Sequence, residues 1–117
     1  KTALVRLKEI RKEFETNLFV PGSKEGVNVE LEKAIRLNDF ITMGELIAYD
    51  ALNRNESCGG HFREEYQTEE GEAKRDDENY FYVACWEYQG SDDKAPVLYK
   101  EPLVYEAIKV QTRNYKS

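Results

Sequence analysis

At 117 residues the chain fits one domain with one modest core, since folding at this length hides somewhat more than roughly 60% of the unfolded surface. Twenty-three Asp and Glu stand against seventeen Lys and Arg; the net charge of -6 repels a phosphate backbone or an anionic membrane, so nucleic acid is not an expected partner. No run of about 18 apolar residues occurs, and the basic start Lys1 to Arg6 leads into no apolar stretch, so neither a membrane span nor a signal peptide is expected.

Ala3, Leu7, Ile10 and Phe14 recur at helical spacing among charged residues, which predicts an amphipathic helix closed by Asn17 and Pro21-Gly22-Ser23. Helical periodicity is thus running by position 3 with no initiating Met before it, so the chain is expected to continue a longer polypeptide. A second helix is predicted from Val29 to Asn53, with Asn28 as its cap and Glu30 and Glu32 in an acidic first turn. Its apolar residues, from Leu31 through Phe40, Ile41 and Met43 to Leu52, cover well over half its circumference. The first helix can cover one side only, so the expectation is a third covering element or, without it, a homodimer or an exposed apolar patch.

From Asn53 to Asn79 the chain turns polar, with a Cys58-Gly59-Gly60 turn and acidic Glu64, Glu65, Glu69, Glu70 and Glu72, and reads as partly mobile loop. The aromatic, β-branched run Tyr80 to Tyr88 reads as a strand and Gly90-Ser91-Asp92-Asp93 as a turn. Val97 to Tyr99 and Leu103 to Val110 read as further strand interrupted by Pro102. The expected fold is mainly α with a small β tail. A helical hairpin from a three-helix, spectrin-repeat-like bundle occupies 1–63, and a polar loop and β-hairpin occupy 64–117, together forming one domain fragment.

Candidate chemistry is sparse. No GxGxxG or GxxxxGK[ST] is present, so a dinucleotide has no phosphate cradle. Cys58, His61 and Cys85 supply three soft ligands without the paired spacing of a zinc site, and the two cysteines are expected as reduced thiols. A Cys58 nucleophile activated by His61 would lie in a glycine turn that does not place the imidazole on the sulfur. Adjacent carboxylates such as Glu64 and Glu65 read as solvated. More distinctive is the block Arg54 to Arg63, joining a helix end to a turn. There Arg54, His61 or Arg63 could satisfy helix-end carbonyls and Glu56 could pair with an arginine. In Arg75-Asp76-Asp77-Glu78-Asn79, Asp76 or Asp77 should cap a turn.

The order Ala51-Leu52-x-Arg54-x-Glu56-Ser57-x-Gly59-x-His61-x-Arg63, then Arg75-Asp76-Asp77-Glu78-Asn79, resembles the C-terminal region of the flavoprotein subunit of succinate dehydrogenase and fumarate reductase. That pattern is A-L-x-R-x-E-S-R-G-A-H-x-R-x-D followed by R-D-D-E-N-W. The ending Pro96 to Leu103, closing on Arg113-Asn114-Tyr115, is similar to the tail of such subunits in complexes with a diheme membrane anchor. Cys58, Gly60, Glu65 and Tyr80 depart from the pattern, and Cys58 removes an arginine that could form an ion pair in relatives. Aspartate oxidase and adenylylsulfate reductase share a looser form of it.

The resemblance implies an FAD-bearing subunit that interconverts succinate and fumarate. It would pass electrons to an iron-sulfur subunit and, through the membrane anchor, to a quinone, in the cytoplasm and peripheral to the inner membrane. Catalytic and FAD-binding residues lie upstream in such proteins, so none is carried over, nor is a metal ligand, and the fragment alone is expected to be inactive. The implied role of Arg54, Glu56, Ser57, Gly59, His61, Arg63, Arg75, Asp76 and Asp77 is to lock the interface with the FAD-binding domain. Competing expectations are a free-standing acidic adaptor module and a small thiol enzyme using Cys58.

Overall fold

The computed structural model describes residues 1–91 and 94–111. Two compact units divide after Arg54, so the loop around Glu56 and Ser57 belongs with the second. The fold is mainly helical with a two-stranded antiparallel sheet near the C-terminal end. Asp92 and Asp93 of the expected turn, and Arg113-Asn114-Tyr115, lie outside the described residues.

The first unit is a helical hairpin of α1 (Thr2–Asn17), which ends at the expected Asn17, and α2 (Val29–Asn53), which has the expected bounds. On α1 the half-buried positions are Leu4, Leu7, Arg11 and Phe14. Ala3 and Ile10 are exposed, so the packing face is rotated from the one that apolar spacing suggests. The reason is Arg11, whose guanidinium pairs with Glu45 at 2.7 Å and donates to Thr42 Oγ1 at 3.0 Å across the helix pair. A charged residue therefore occupies a seam position that a hydrophobicity pattern assigns to the surface. Opposite it, Gly44 presents no side chain, and a Cβ added there would lie 3.5 Å from Leu7 Cδ2, which marks where the leucine seats. Ile41, three residues before Gly44 on α2, is buried.

The connection between the helices is held by Asn28. Its Oδ1 accepts from the N–H groups of Glu30 and Leu31, both at 3.1 Å, satisfying donors that the first turn of a helix leaves without partners. Its Nδ2 donates back to Pro21 O at 3.3 Å. The chain passes so close at Gly22, where φ is 130°, that a Cβ there would fall 2.4 Å from Asn28 Nδ2. Only glycine suits both the backbone angle and the approach. Because α1 covers one side, α2 keeps an apolar stripe in solvent, with Phe40 65%, Met43 53% and Ile47 63% exposed.

The second unit begins as closely tied turns rather than open loop. Cys58 and His61 exchange both backbone hydrogen bonds across Gly59, whose φ is 58°, and Gln67 pairs with Ala73 in a second isolated bridge. A one-turn helix α3 (Asp77–Tyr80) follows, then β1 (Tyr82–Glu87) and β2 (Val97–Pro102), antiparallel with Tyr82 opposite Pro102 and Glu87 opposite Val97. Two expectations need correction. The strand starts at Tyr82, not Tyr80, because Asp76 caps α3 and draws Tyr80 into its turn. Leu103 to Val110 forms no strand: Pro102 already pairs with the first residue of β1, so no partner edge continues beyond it. Instead Leu103 N–H donates to Phe81 O at 3.2 Å, and Tyr105 packs edge-on against Phe81 with ring centroids 5.8 Å apart. Along β1, half-buried Tyr82, Ala84 and Trp86 alternate with exposed Val83, Cys85 and Glu87, the period of a one-sided sheet.

Candidate functional site

Glu56 and Ser57 are the two buried polar side chains among the described residues, at 2% and 0% exposure. Ser57 Oγ accepts from Arg63 N–H at 2.8 Å and reaches Arg63 O at 3.2 Å, closing the glycine turn with one hydroxyl used as both acceptor and donor. Ser57 N–H donates to Lys74 O at 2.9 Å, and Glu56 Oε2 accepts from Asp76 N–H at 2.9 Å. Glu56 therefore joins the block at 54–63 to the block at 75–79, the two most distinctive stretches of the chain, and Ser57 ties to the residue just before the second. Burial of a carboxylate is tolerated where hydrogen bonds replace water, and Glu56 has such a partner.

Arg63 is held from three directions. Nη1 donates to Asn55 Oδ1 at 2.7 Å, and Nε and Nη2 donate to Glu65 Oε1 at 3.1 and 2.7 Å. The guanidinium carbon also stands 5.1 Å from the centroid of the Tyr66 ring. Glu65 is held below the usual carboxylate range, first by a hydrogen bond with its own backbone and then by Arg63. Arg75 donates through Nε to Asp77 Oδ1 at 2.9 Å and through Nη1 to Gln111 O at 3.4 Å. Asp76 caps α3, accepting from Asn79 N–H at 3.2 Å and from its side-chain amide.

Of the nine interface candidates, Glu56, Ser57, Gly59, His61, Arg63, Arg75, Asp76 and Asp77 lie in the second unit. Arg54 caps the end of α2 in the first unit, its N–H donating to Asp50 O at 3.0 Å. The contacts that tie the site together reach further than the motif. Asn55, Tyr66 and the Lys74 carbonyl are structural partners that spacing does not announce, because contacts among irregular turns follow no periodicity. Glu56 has a backbone partner in Asp76 N–H that the sequence does not announce. Cys58 is half-buried and Cys85 exposed, both as free thiols.

Among the described residues, no three His, Cys, Asp or Glu side chains converge as a metal-binding group, and no helix is long and apolar enough to cross a membrane. A groove of about 310 Å³ in the first unit is lined by apolar side chains with Asn38 and Asp39. It offers no cation and no glycine-rich turn of N–H groups, so it does not fit the diphosphate of a flavin dinucleotide.

A family model described as fumarate reductase flavoprotein C-term matches residues 1–115. No solved structure matches the chain.

Proposed function

Because the chain belongs to the family of fumarate reductase flavoprotein C-terminal domains, a group of oxidoreductase flavoproteins, we propose that it completes the FAD-bearing subunit of a succinate dehydrogenase or fumarate reductase. That subunit would interconvert succinate and fumarate and pass electrons to an iron-sulfur subunit and, through a membrane anchor, to a quinone. It would sit in the cytoplasm against the inner membrane. FAD would be held by the rest of the subunit.

The chain's own part is to fix shape. Supporting this reading is the burial of Glu56 and Ser57, which spend the most distinctive side chains of the motif on internal hydrogen bonds and leave none of them open for chemistry. A turn tied in this way would present Gly59, His61, Arg63, Arg75, Asp76 and Asp77 as a stiff surface against the FAD-binding domain, and Arg54 would contribute from the end of α2. Hydride and electron transfer both require such fixed geometry between parts.

The test is co-expression of this chain with a fumarate reductase flavoprotein truncated before its own C-terminal domain. The expected result is retained FAD and dye-driven fumarate reduction with both parts present, loss of both without the chain, and no turnover by the chain alone. Turnover by the chain alone, or failure of rescue by a chain whose helical signal is intact, refutes the assignment.

A further inference from the structure

Cys58 and His61 exchange both backbone hydrogen bonds, at 2.8 and 3.1 Å, so they are a directly opposed pair at the end of a two-residue hairpin. Directly opposed residues carry their side chains on one face, with Cβ atoms about 5 Å apart. The thiol and the imidazole therefore leave the turn on the same side. A metal ion needs no direct contact between them, only two donors facing the same way. An imidazole ligates through one ring nitrogen and can keep a hydrogen bond on the other.

The turn is set before any ligand arrives. Just outside the pair, Ser57 Oγ accepts from Arg63 N–H and donates to Arg63 O, which pins the base of the hairpin and leaves little order for a ligand to impose. The space over the turn is open, because a Cβ added at Gly59 or at Gly60 would meet no atom within 4 Å. Cys58 and His61 are half-buried, neither sealed in nor fully solvated. On a chain of net charge -6, a cation is the favoured occupant.

The donors select among cations. Thiolate sulfur and imidazole nitrogen are soft or borderline ligands, which sets aside Mg2+ and Ca2+, cations that bind through oxygen. Zn2+ takes four ligands in a tetrahedron, and among the described residues no third His, Cys, Asp or Glu joins the pair. Cu+, soft and with a filled d shell, is satisfied by two. We propose that Cys58 Sγ and one ring nitrogen of His61 hold a single Cu+ ion across the turn. The thiol gives up its proton to solvent as the sulfur–copper bond forms, and the copper keeps its oxidation state. The site stands apart from the flavoprotein reading, since it needs only the turn.

Cu+ titrated without oxygen into the reduced chain, against a chromophoric Cu+ chelator, should bind at one equivalent and raise a thiolate-to-copper charge-transfer band in the ultraviolet. Cu+ is diamagnetic, so the ring signals of His61, the one histidine of the chain, should shift in the same titration. Cys58→Ser and His61→Ala should each weaken binding at least about a hundredfold, more than the loss of an outer-shell partner costs. Cys85, which lies on β1 opposite Tyr99, is the control, and Cys85→Ser should leave binding unchanged. Excess Zn2+ should not displace the copper.

Binding that survives His61→Ala, or that is lost with Cys85 instead of Cys58, overturns the proposal. So do one copper per two chains, displacement by Zn2+, and His61 ring signals that stay in place. The ring signals are read on the unaltered chain, so that arm stands whatever either substitution does to folding.

Discussion

Ser57 is the residue on which the second unit closes, because its hydroxyl serves both polar groups of the Arg63 backbone from a position with no solvent access. Ser57→Ala leaves an N–H and a carbonyl without that partner, and should lower unfolding stability by about 1–3 kcal/mol in a denaturant titration. Glu56→Gln should cost less than Glu56→Ala, since an amide oxygen can still accept from Asp76 N–H. Glu65 supplies a pH dependence. A carboxyl held below its unfolded value of about 4.3 favours the folded state above that pH. The contribution disappears as the pH falls through the lower folded value. Glu65→Gln should therefore flatten the acid limb of the stability profile, measured as the denaturation midpoint between about pH 3 and 6. The partners of Ser57 and Glu56 could not be read from spacing, because they are backbone groups of Arg63, Lys74 and Asp76, and backbone atoms carry no residue identity.

The helices were legible because each repeats its signal over several turns, and Asn28 marks the start of α2 with a side chain suited to capping. Where the reading slipped, one residue was enough. Arg11 lies in the seam of the hairpin and rotates the packing face toward Leu4, although its charge places it outside any apolar stripe. The pair it makes with Glu45 is partly shielded, with side-chain exposures of 11% and 20%. Arg11→Ala should cost about 1–3 kcal/mol, between the exposed and buried limits for ion pairs. The double variant with Glu45→Ala should recover part of that loss, read as a coupling energy from the four melting curves. In the C-terminal part the composition of Tyr80 to Tyr88 does not distinguish a one-turn helix from a strand start, and Asp76 decides it. Leu103 to Val110 has strand-forming residues but no neighbour to pair with, and pairing is a property of two segments.

At the scale of the molecule, the apolar surface left on α2 is the feature that composition alone exposed most clearly, since too many apolar positions were spaced around one helix for one neighbour to cover. Phe40, Met43 and Ile47 should bind a hydrophobic dye, and Phe40→Lys with Ile47→Lys should reduce that fluorescence with little change in melting temperature, because exposed side chains contribute little to folding. Sedimentation of the same variants reports whether the stripe also drives pairing of two copies: the isolated chain should sediment heavier than the double-lysine form.

The ties from Ser57 to Lys74 and from Glu56 to Asp76 bracket the exposed stretch that contains Glu69 and Glu70. A glutamyl endopeptidase that cuts between those two residues would sever the polypeptide without touching either tie. The severed pieces should therefore co-elute as one species in native buffer and separate only in denaturant, making covalent continuity at that point dispensable to the domain.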